Sequence, residues 1–458
     1  MNVLIVSLNF APEIVGIGRY STGMATWLAR SGHRVTVLSA PPYYPQWQIQ
    51  KPYRNGFATE QVQGLVIQRC PLFVPRTPSA VKRLLHLGTF ALSVTMQLLR
   101  QLAQPRDHWP DRVIVVAPAL FAAIPALLFR DLCRLRGHGL GAWLHIQDFE
   151  LDAAFALGFL QVPQLKRIAA ATESLLLRRF DGVSTLSPAM AHKLRQKQVS
   201  EGAIRLFPNW VHCADYASAP SPELHKACQA MRNELAIPAE AVIVLYAGSM
   251  GRKQGLELLA QAAIHCRDQP LIWWVFCGCG PAAEELQQAC NGLAQQRFLP
   301  LQAEARYRLL MQAADLHVLP QQDGAADLVM PSKLLAMLAS GRPVVATARP
   351  HTEVARVLQG DPPCGLVTPP GDARGLAEAV KQLVASPALR QRLGEAARDQ
   401  ARSRWDHAAV LTRFEQDLVS LHARPQLSLL SPPMVKGWFD QRRRASHAAV
   451  GAGDLRQL

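Results

Sequence analysis

The chain has 458 residues, of which 49% are hydrophobic and 18% charged. That balance excludes a disordered chain and leaves room for two or more domains with full cores. The formal net charge of +15 is uneven: residues 1–208 hold 23 Lys and Arg against 11 Asp and Glu, the remainder 26 against 23. A basic first half suits an anionic membrane face or an anionic substrate. Nucleic acid is disfavoured, because no Cys/His finger spacing, aromatic sheet motif or recognition helix accompanies the charge.

Asn2 to Leu8 (NVLIVSL) is a continuous apolar run, as in a central parallel strand covered on both faces. A glycine loop with Gly16 and Gly18 follows, then a helix expected over Ser21–Ser31 and a second strand over Arg34–Ser39. A dinucleotide reading fails, because the second strand ends Leu38-Ser-Ala-Pro-Pro with no acid for a ribose. What remains is a loop whose amides can approach an anion, with Arg19 beside it; a tight turn alone is the alternative. Residues 40–80, rich in proline and aromatics (APPYYPQW, then Pro52-Tyr53), read as one ordered loop, for acceptor contact or for structure.

Lys82–Leu102 is a helix with sixteen uncharged residues, Leu84 to Leu99, between Arg83 and Arg100. That is short for a spanning helix. It fits a membrane-surface helix with Lys82 and Arg83 on the headgroups, or a helix buried in the first domain. Strands follow at 112–116, 142–146 and 182–186. His145 and Asp148 fall at the C-terminal end of the second of these, where open α/β sheets place their chemistry, and are the candidate catalytic residues.

A second strand series starts at Val242–Gly248, with later strands near 272–278, 297–299, 316–319, 344–347 and 366–367. The expected fold is therefore α/β: two tandem Rossmann-like, doubly wound parallel-sheet domains facing across a cleft. Their expected bounds are 1–208 and 209–405, with a terminal helix over 406–422 packing back toward the first domain and a mostly disordered tail over 423–458. After the strand ending at Gly248, GSMGRKQG repeats the glycine-loop logic with Arg252 and Lys253, two cations suited to a diphosphate. It is not a Walker loop.

Residues 324–353 add a helix from about Lys333 to Ala339, with Ser332 as its expected N-cap and Lys333 in its first turn as a phosphate ligand. Asp327 precedes this helix and Glu353 opens the next. The nine cysteines are odd in number and scattered in apolar runs, which suits reduced structural thiols in a cytoplasmic protein. No signal peptide, metal site or cofactor is expected.

The motifs NFAPEIVGIGRY, APPYYPQW, LHIQDFELDA, FPNW, GSMGRKQGLE and GAADLVMPSKL resemble those of the family-four retaining glycosyltransferases of GT-B fold, over roughly residues 1–420. Within that family they resemble the fucosyltransferase-type enzymes of colanic acid and related bacterial exopolysaccharide assembly. The resemblance implies transfer of a sugar from a nucleotide diphosphate sugar, GDP-fucose being one candidate, to a lipid-linked oligosaccharide at the cytoplasmic membrane face. It implies that Gly16 and Gly18 lie beside the donor phosphates and that Arg252 and Lys253 neutralise the diphosphate leaving group without a metal. His145 and Asp148 would orient donor or acceptor. The family's Glu-x7-Glu pair is replaced: Leu328 and Ala336 stand at its two positions, leaving Asp327 and Glu353 as the nearby acids. That substitution motivates one alternative, a nucleotide-sugar-binding scaffold without catalysis; the other, a GT-B epimerase, is opposed by the acceptor-side loop at 40–53 and the basic first domain.

Overall fold

The computed structural model describes residues 1–13, 16–77, 79–117, 120–149, 163–216, 221–251, 254–322 and 331–421. Eight strands form the first sheet: β1 (Asn2–Ser7), β2 (Arg34–Ser39), β3 (Ala58–Val62), β4 (Leu65–Arg69), β5 (Arg112–Ala117), β6 (Gly141–Ile146), β7 (Gly182–Thr185) and β8 (Ile204–Leu206). Their order is β3-β4-β2-β1-β5-β6-β7-β8, parallel throughout except for β3 at the edge. The second sheet holds β9 (Val242–Ala247), β10 (Ile272–Cys277), β11 (Gln296–Leu299), β12 (Leu316–Leu319), β13 (Val344–Thr347) and β14 (Gly365–Thr368), in the order β11-β10-β9-β12-β13-β14. Two tandem parallel-sheet domains are thus present, as the apolar runs predict.

Helices α1 (Ile17–Arg30), α2 (Ala80–Leu102), α3 (Leu120–Leu135), α4 (Pro163–Leu177) and α5 (Pro188–Gln196) flank the first sheet. Those of the second half are α6 (Pro222–Glu234), α7 (Glu257–His265), α8 (Ala283–Ala289), α9 (Glu304–Ala313), α10 (Ser332–Ala339), α11 (Glu353–Leu358), α12 (Ala373–Ala385), α13 (Pro387–Trp405) and α14 (His407–Val419). The central strands of both sheets are buried on both faces. In β1, Val3 and Ile5 join one core and Leu4 and Val6 another; in β9, Val244 and Tyr246 point opposite to Ile243 and Leu245. In each sheet the strand order reverses at the first strand, β1 or β9, so the loops after those strands open at the switch points where ligands bind.

Three expectations need correction. Residues 40–80 are not one loop: β3 and β4 form a hairpin over 58–69. Its turn residues, Gln63 and Gly64, both have positive φ (52° and 80°), and β4 joins the sheet beside β2. Helix α1 begins at Ile17 rather than Ser21, because Gly16, at φ 56°, is its N-cap. Ser332 is the first residue of α10, not its cap; Pro331 holds the cap position and no side chain caps that end.

The last helices tie the domains together. The chain crosses out of the first domain at Val211 and returns beside it at Asp406, where the two segments pair in parallel. Asp406 then caps α14 through Ala408 N (3.1 Å). Helix α14 lies on the first sheet, with Phe414 stacked on Phe207 at 4.1 Å and Glu415 accepting from Trp27 Nε1 and Ser31 Oγ at 2.8 Å each. Residues beyond 421, with the expected tail, lie outside the described residues. Among those described, no helix is long and apolar enough to cross a membrane.

Candidate active site

The loop after β9 is built on glycines. A Cβ at Gly278 (φ 148°) would fall 2.0 Å from the Gly248 carbonyl oxygen, and one at Gly280 (φ 149°) 2.5 Å from that of Met250. Only glycine lets the loops after β9 and β10 stack this closely. The register is held by Gly248 N donating to Cys277 O and Met250 N to Cys279 O, both 2.9 Å. Lys333, from the first turn of α10, enters this platform. Its ammonium donates to Gln254 Oε1 (2.9 Å) and Tyr246 Oη (3.1 Å) and stands 4.6 Å over the Tyr246 ring. Tyr246 can accept there because its own proton goes to the Ser249 carbonyl at 2.6 Å. Burial lowers the Lys333 pKa to about 8. An ammonium at a helix start beside open glycine backbone suits a phosphate. Arg252, Lys253 and Asp327 lie outside the described residues.

The first domain faces this platform with the start of α1. Gly16 is exposed, with nothing within 4 Å of where a Cβ would stand. At Gly18 a Cβ would meet the Glu13 carbonyl oxygen at 2.9 Å. Arg19 is exposed. Burial raises the pKa of Tyr20, Tyr216 and Tyr307, and the Arg19 charge acts against it in all three. Tyr307 belongs to α9, so Arg19 looks across the cleft into the second domain. The Ser332 side chain lies beside the Tyr20 phenol and, like Arg19, lowers its pKa. The residue expected to cap α10 is therefore a bridge between domains, one position from Lys333. Gly16, Gly18, Arg19 and Lys333 come together around one cleft, with two helix N-termini directed into it.

His145 is only 2% exposed. Its Nδ1 is 2.9 Å from Ser184 Oγ on β7, which also accepts from Trp143 Nε1 at 2.8 Å, and its ring packs on Phe207. Burial drives its pKa down to about 3, so the ring is neutral and braces β6 against β7. Asp148 is half-buried just past β6. Glu353 opens α11, 3.7 Å from Arg356 of the same helix. Among the described residues no cluster of three His, Cys, Asp or Glu is arranged to hold a metal.

Residues 15–210 match the family model of the glycosyl transferase 4-like domain, and residues 229–400 match that of the glycosyl transferases group 1. Over 422 residues the chain is 37% identical to the putative colanic acid biosynthesis glycosyl transferase WcaI of Escherichia coli K12, covering 91% of this chain and 100% of the relative. The chain belongs to the family-four glycosyltransferases. The fold of this glycosyltransferase is GT-B. Sucrose-phosphate synthase from Thermosynechococcus elongatus superposes with a TM-score of 0.66 at 19% identity, over 91% of this chain and 97% of that one. Anabaena HepE in complex with UDP and glucose gives 0.65 at 17%, over 92% and 100%. As a member of this family the chain is an enzyme of the hexosyltransferase class.

Several residues that shape the glycosyltransferase cleft escape a reading by motif. Tyr246 looks like ordinary strand core and Gln254 like loop filler, yet both hold the Lys333 ammonium. The Gly278-x-Gly280 spacing after an apolar strand was the available signal for the second layer of the platform.

Proposed function

We propose that the protein is a retaining transferase. It moves a sugar from a nucleotide diphosphate sugar to a lipid-linked oligosaccharide in exopolysaccharide assembly of the colanic acid type, with L-fucose from GDP-fucose as the leading donor candidate. The observation that carries this reading is the Lys333–Gly248 platform facing Gly16–Tyr20 across the cleft. A departing diphosphate is the main anion formed in the reaction, and fixed cations with free amides stabilise it best. Lys333 supplies one such cation, and Arg252 and Lys253 on the same glycine loop supply two more, so the reading invokes no metal or other cofactor. The kinship with WcaI, whose name places it in colanic acid biosynthesis, supports the pathway. In this reading the buried, neutral His145, bonded to Ser184 of β7, and Asp148 just past the end of β6 orient donor or acceptor. Asp327 and Glu353 take the place of the family's acid pair around the sugar and ribose.

The lipid-linked acceptor calls for contact with the cytoplasmic face of the membrane, and α2 offers it. Its inner side buries Phe90, Val94 and Leu98, while Val81, Leu84, Leu85, Leu92, Met96 and Leu99 are exposed, Val81 and Leu92 by about two-thirds. Around Gly88 this outer side forms a shallow apolar groove of about 370 Å³, flanked by Lys82 and Arg83. An apolar stripe edged with cations fits an anionic bilayer surface.

The deciding measurement is thermal denaturation over GDP, UDP and CMP sugars, because a bound donor raises the midpoint by mass action. The stabilising donor should then yield free nucleotide diphosphate on incubation. Stabilisation without release would favour the scaffold reading, which the loss of the acid pair at Leu328 and Ala336 motivates. Arg252→Ala and Lys253→Ala are each expected to lower turnover by about 10²-fold, the scale for one preorganised contact to developing charge. Unchanged rates in both would remove the diphosphate assignment from that loop.

A further inference from the structure

The two loops leaving the adjacent strands β1 and β2 are clamped together by buried side chains that the donor platform does not use. Glu13, 5% exposed, accepts from the backbone amides of Tyr43 and Tyr44 on one oxygen, at 2.8 Å each, and from Asn9 Nδ2 on the other at 2.8 Å. Its main-chain carbonyl is the atom that excludes a side chain at Gly18. One residue therefore holds the glycine loop at one end and the aromatic loop 40–53 at the other. Arg69, 1% exposed, adds a second tie by donating to Ala11 O at 2.7 Å and Ala40 O at 3.2 Å.

The clamp continues into α2. His86 Nδ1 lies 2.6 Å from the Phe73 carbonyl oxygen, which can only accept, so Nδ1 carries the proton. Nε2 then accepts from the Tyr43 phenol at 2.9 Å. Burial lowers the His86 pKa and keeps that tautomer neutral. Trp47, at φ 54°, packs on both His86 and Tyr43, with the Arg83 guanidinium 5.7 Å from its ring.

We propose that Glu13 and His86 are positioning residues: they fix the aromatic loop 40–53, the acceptor-side wall, to the glycine loop on the donor side and to α2. A sugar acceptor must meet the anomeric carbon at a set distance, and misplacement of a wall by about 1 Å can cost about 10²-fold. The clamp makes the donor-side loop and the acceptor wall one body, so that transfer outruns hydrolysis by water. This inference rests on the transferase reading above.

Hydrogen exchange and product partition test it together. In Glu13→Ala the amides of Tyr43 and Tyr44 should exchange at least tenfold faster, while the affinity for GDP or UDP stays within about twofold. With GDP-fucose as donor and an octyl-linked disaccharide as acceptor probe, the ratio of transfer to hydrolysis should fall at least tenfold. Glu13→Gln keeps an acceptor oxygen for both amides and should restore the ratio to within about threefold. Tyr43→Phe, which removes the phenol's bond to His86, should give an intermediate fall and serves if Glu13→Ala does not fold. Unchanged exchange at the two amides overturns the clamp, and so does an equal loss of transfer and hydrolysis. Should the wild type neither hydrolyse nor transfer any donor, the transferase reading fails instead, and exchange still decides the clamp.

Discussion

At the scale of single residues the decisive group is Lys333. Its ammonium is desolvated to a pKa of about 8 and held by two neutral acceptors, Tyr246 Oη and Gln254 Oε1. The charged form binds a phosphate and the neutral form does not. In the free protein that charge is complete below about pH 7 and is lost as pH rises through 8. Affinity for GDP or UDP should therefore fall above pH 8 in the wild type, over a window pushed upward by the bound anion. Lys333→Ala should weaken binding by roughly tenfold or more at pH 7, the scale of a charged hydrogen bond, and should flatten the pH profile. Titration calorimetry at several pH values reads both, and an unaltered Kd in the variant would remove Lys333 from the site. The lysine itself was legible, since a cation after a proline at a helix start is a local pattern. The role of Ser332 was not: capping and first-turn positions differ by one residue, and its partner, Tyr20, comes from the other domain. His145 shows the same limit, because its place at a strand end can be read from sequence but its sealing by Phe207 and Ser184 cannot.

At the scale of elements, α2 has two faces with opposite energetics. Phe90 is fully buried and Leu92 is 65% exposed, two residues apart on one helix. Phe90→Ala should cost about 3–5 kcal/mol of stability by opening a cavity. Leu84→Glu with Leu92→Glu should leave the thermal midpoint nearly unchanged and abolish sedimentation with vesicles containing anionic phosphatidylglycerol. Binding that survives the double substitution would show that α2 is not the membrane contact. The sequence left both roles open for this helix, since an apolar run with charged ends suits burial and surface docking alike; only packing against α3 shows which side is covered. The hairpin of β3 and β4 stayed hidden for another reason. Its Gln63-Gly64 turn is a weak signal, and the prolines before it suggest loop throughout.

At the scale of the whole molecule, tandem parallel sheets follow from recurring apolar strands, whereas the joint between domains has no local signature. That joint is two chain crossings laid side by side at Val211 and Asp406, with the His212 and His407 rings stacked 3.9 Å apart. His407 is lowered to about 4, first by burial and then by His212. In the cores, burial lowers His145 and His317 to about 3 each. All three are neutral in the fold and regain the ordinary value of about 6.5 on unfolding, so below that value the unfolded chain binds more protons. Stability should hold above pH 7 and fall as pH drops below about 6.5, by about 1.4 kcal/mol per pH unit for each of the two core histidines. Urea midpoints between pH 6.5 and 5, above the carboxylate range, read this slope, to which His86, also lowered by burial, adds. His317→Gln should lose one proton from it, and His407→Gln should reduce it further through the joint. A slope indistinguishable from zero over that window would mean that these histidines are protonated in the fold, against the desolvation that burial imposes on the two core rings.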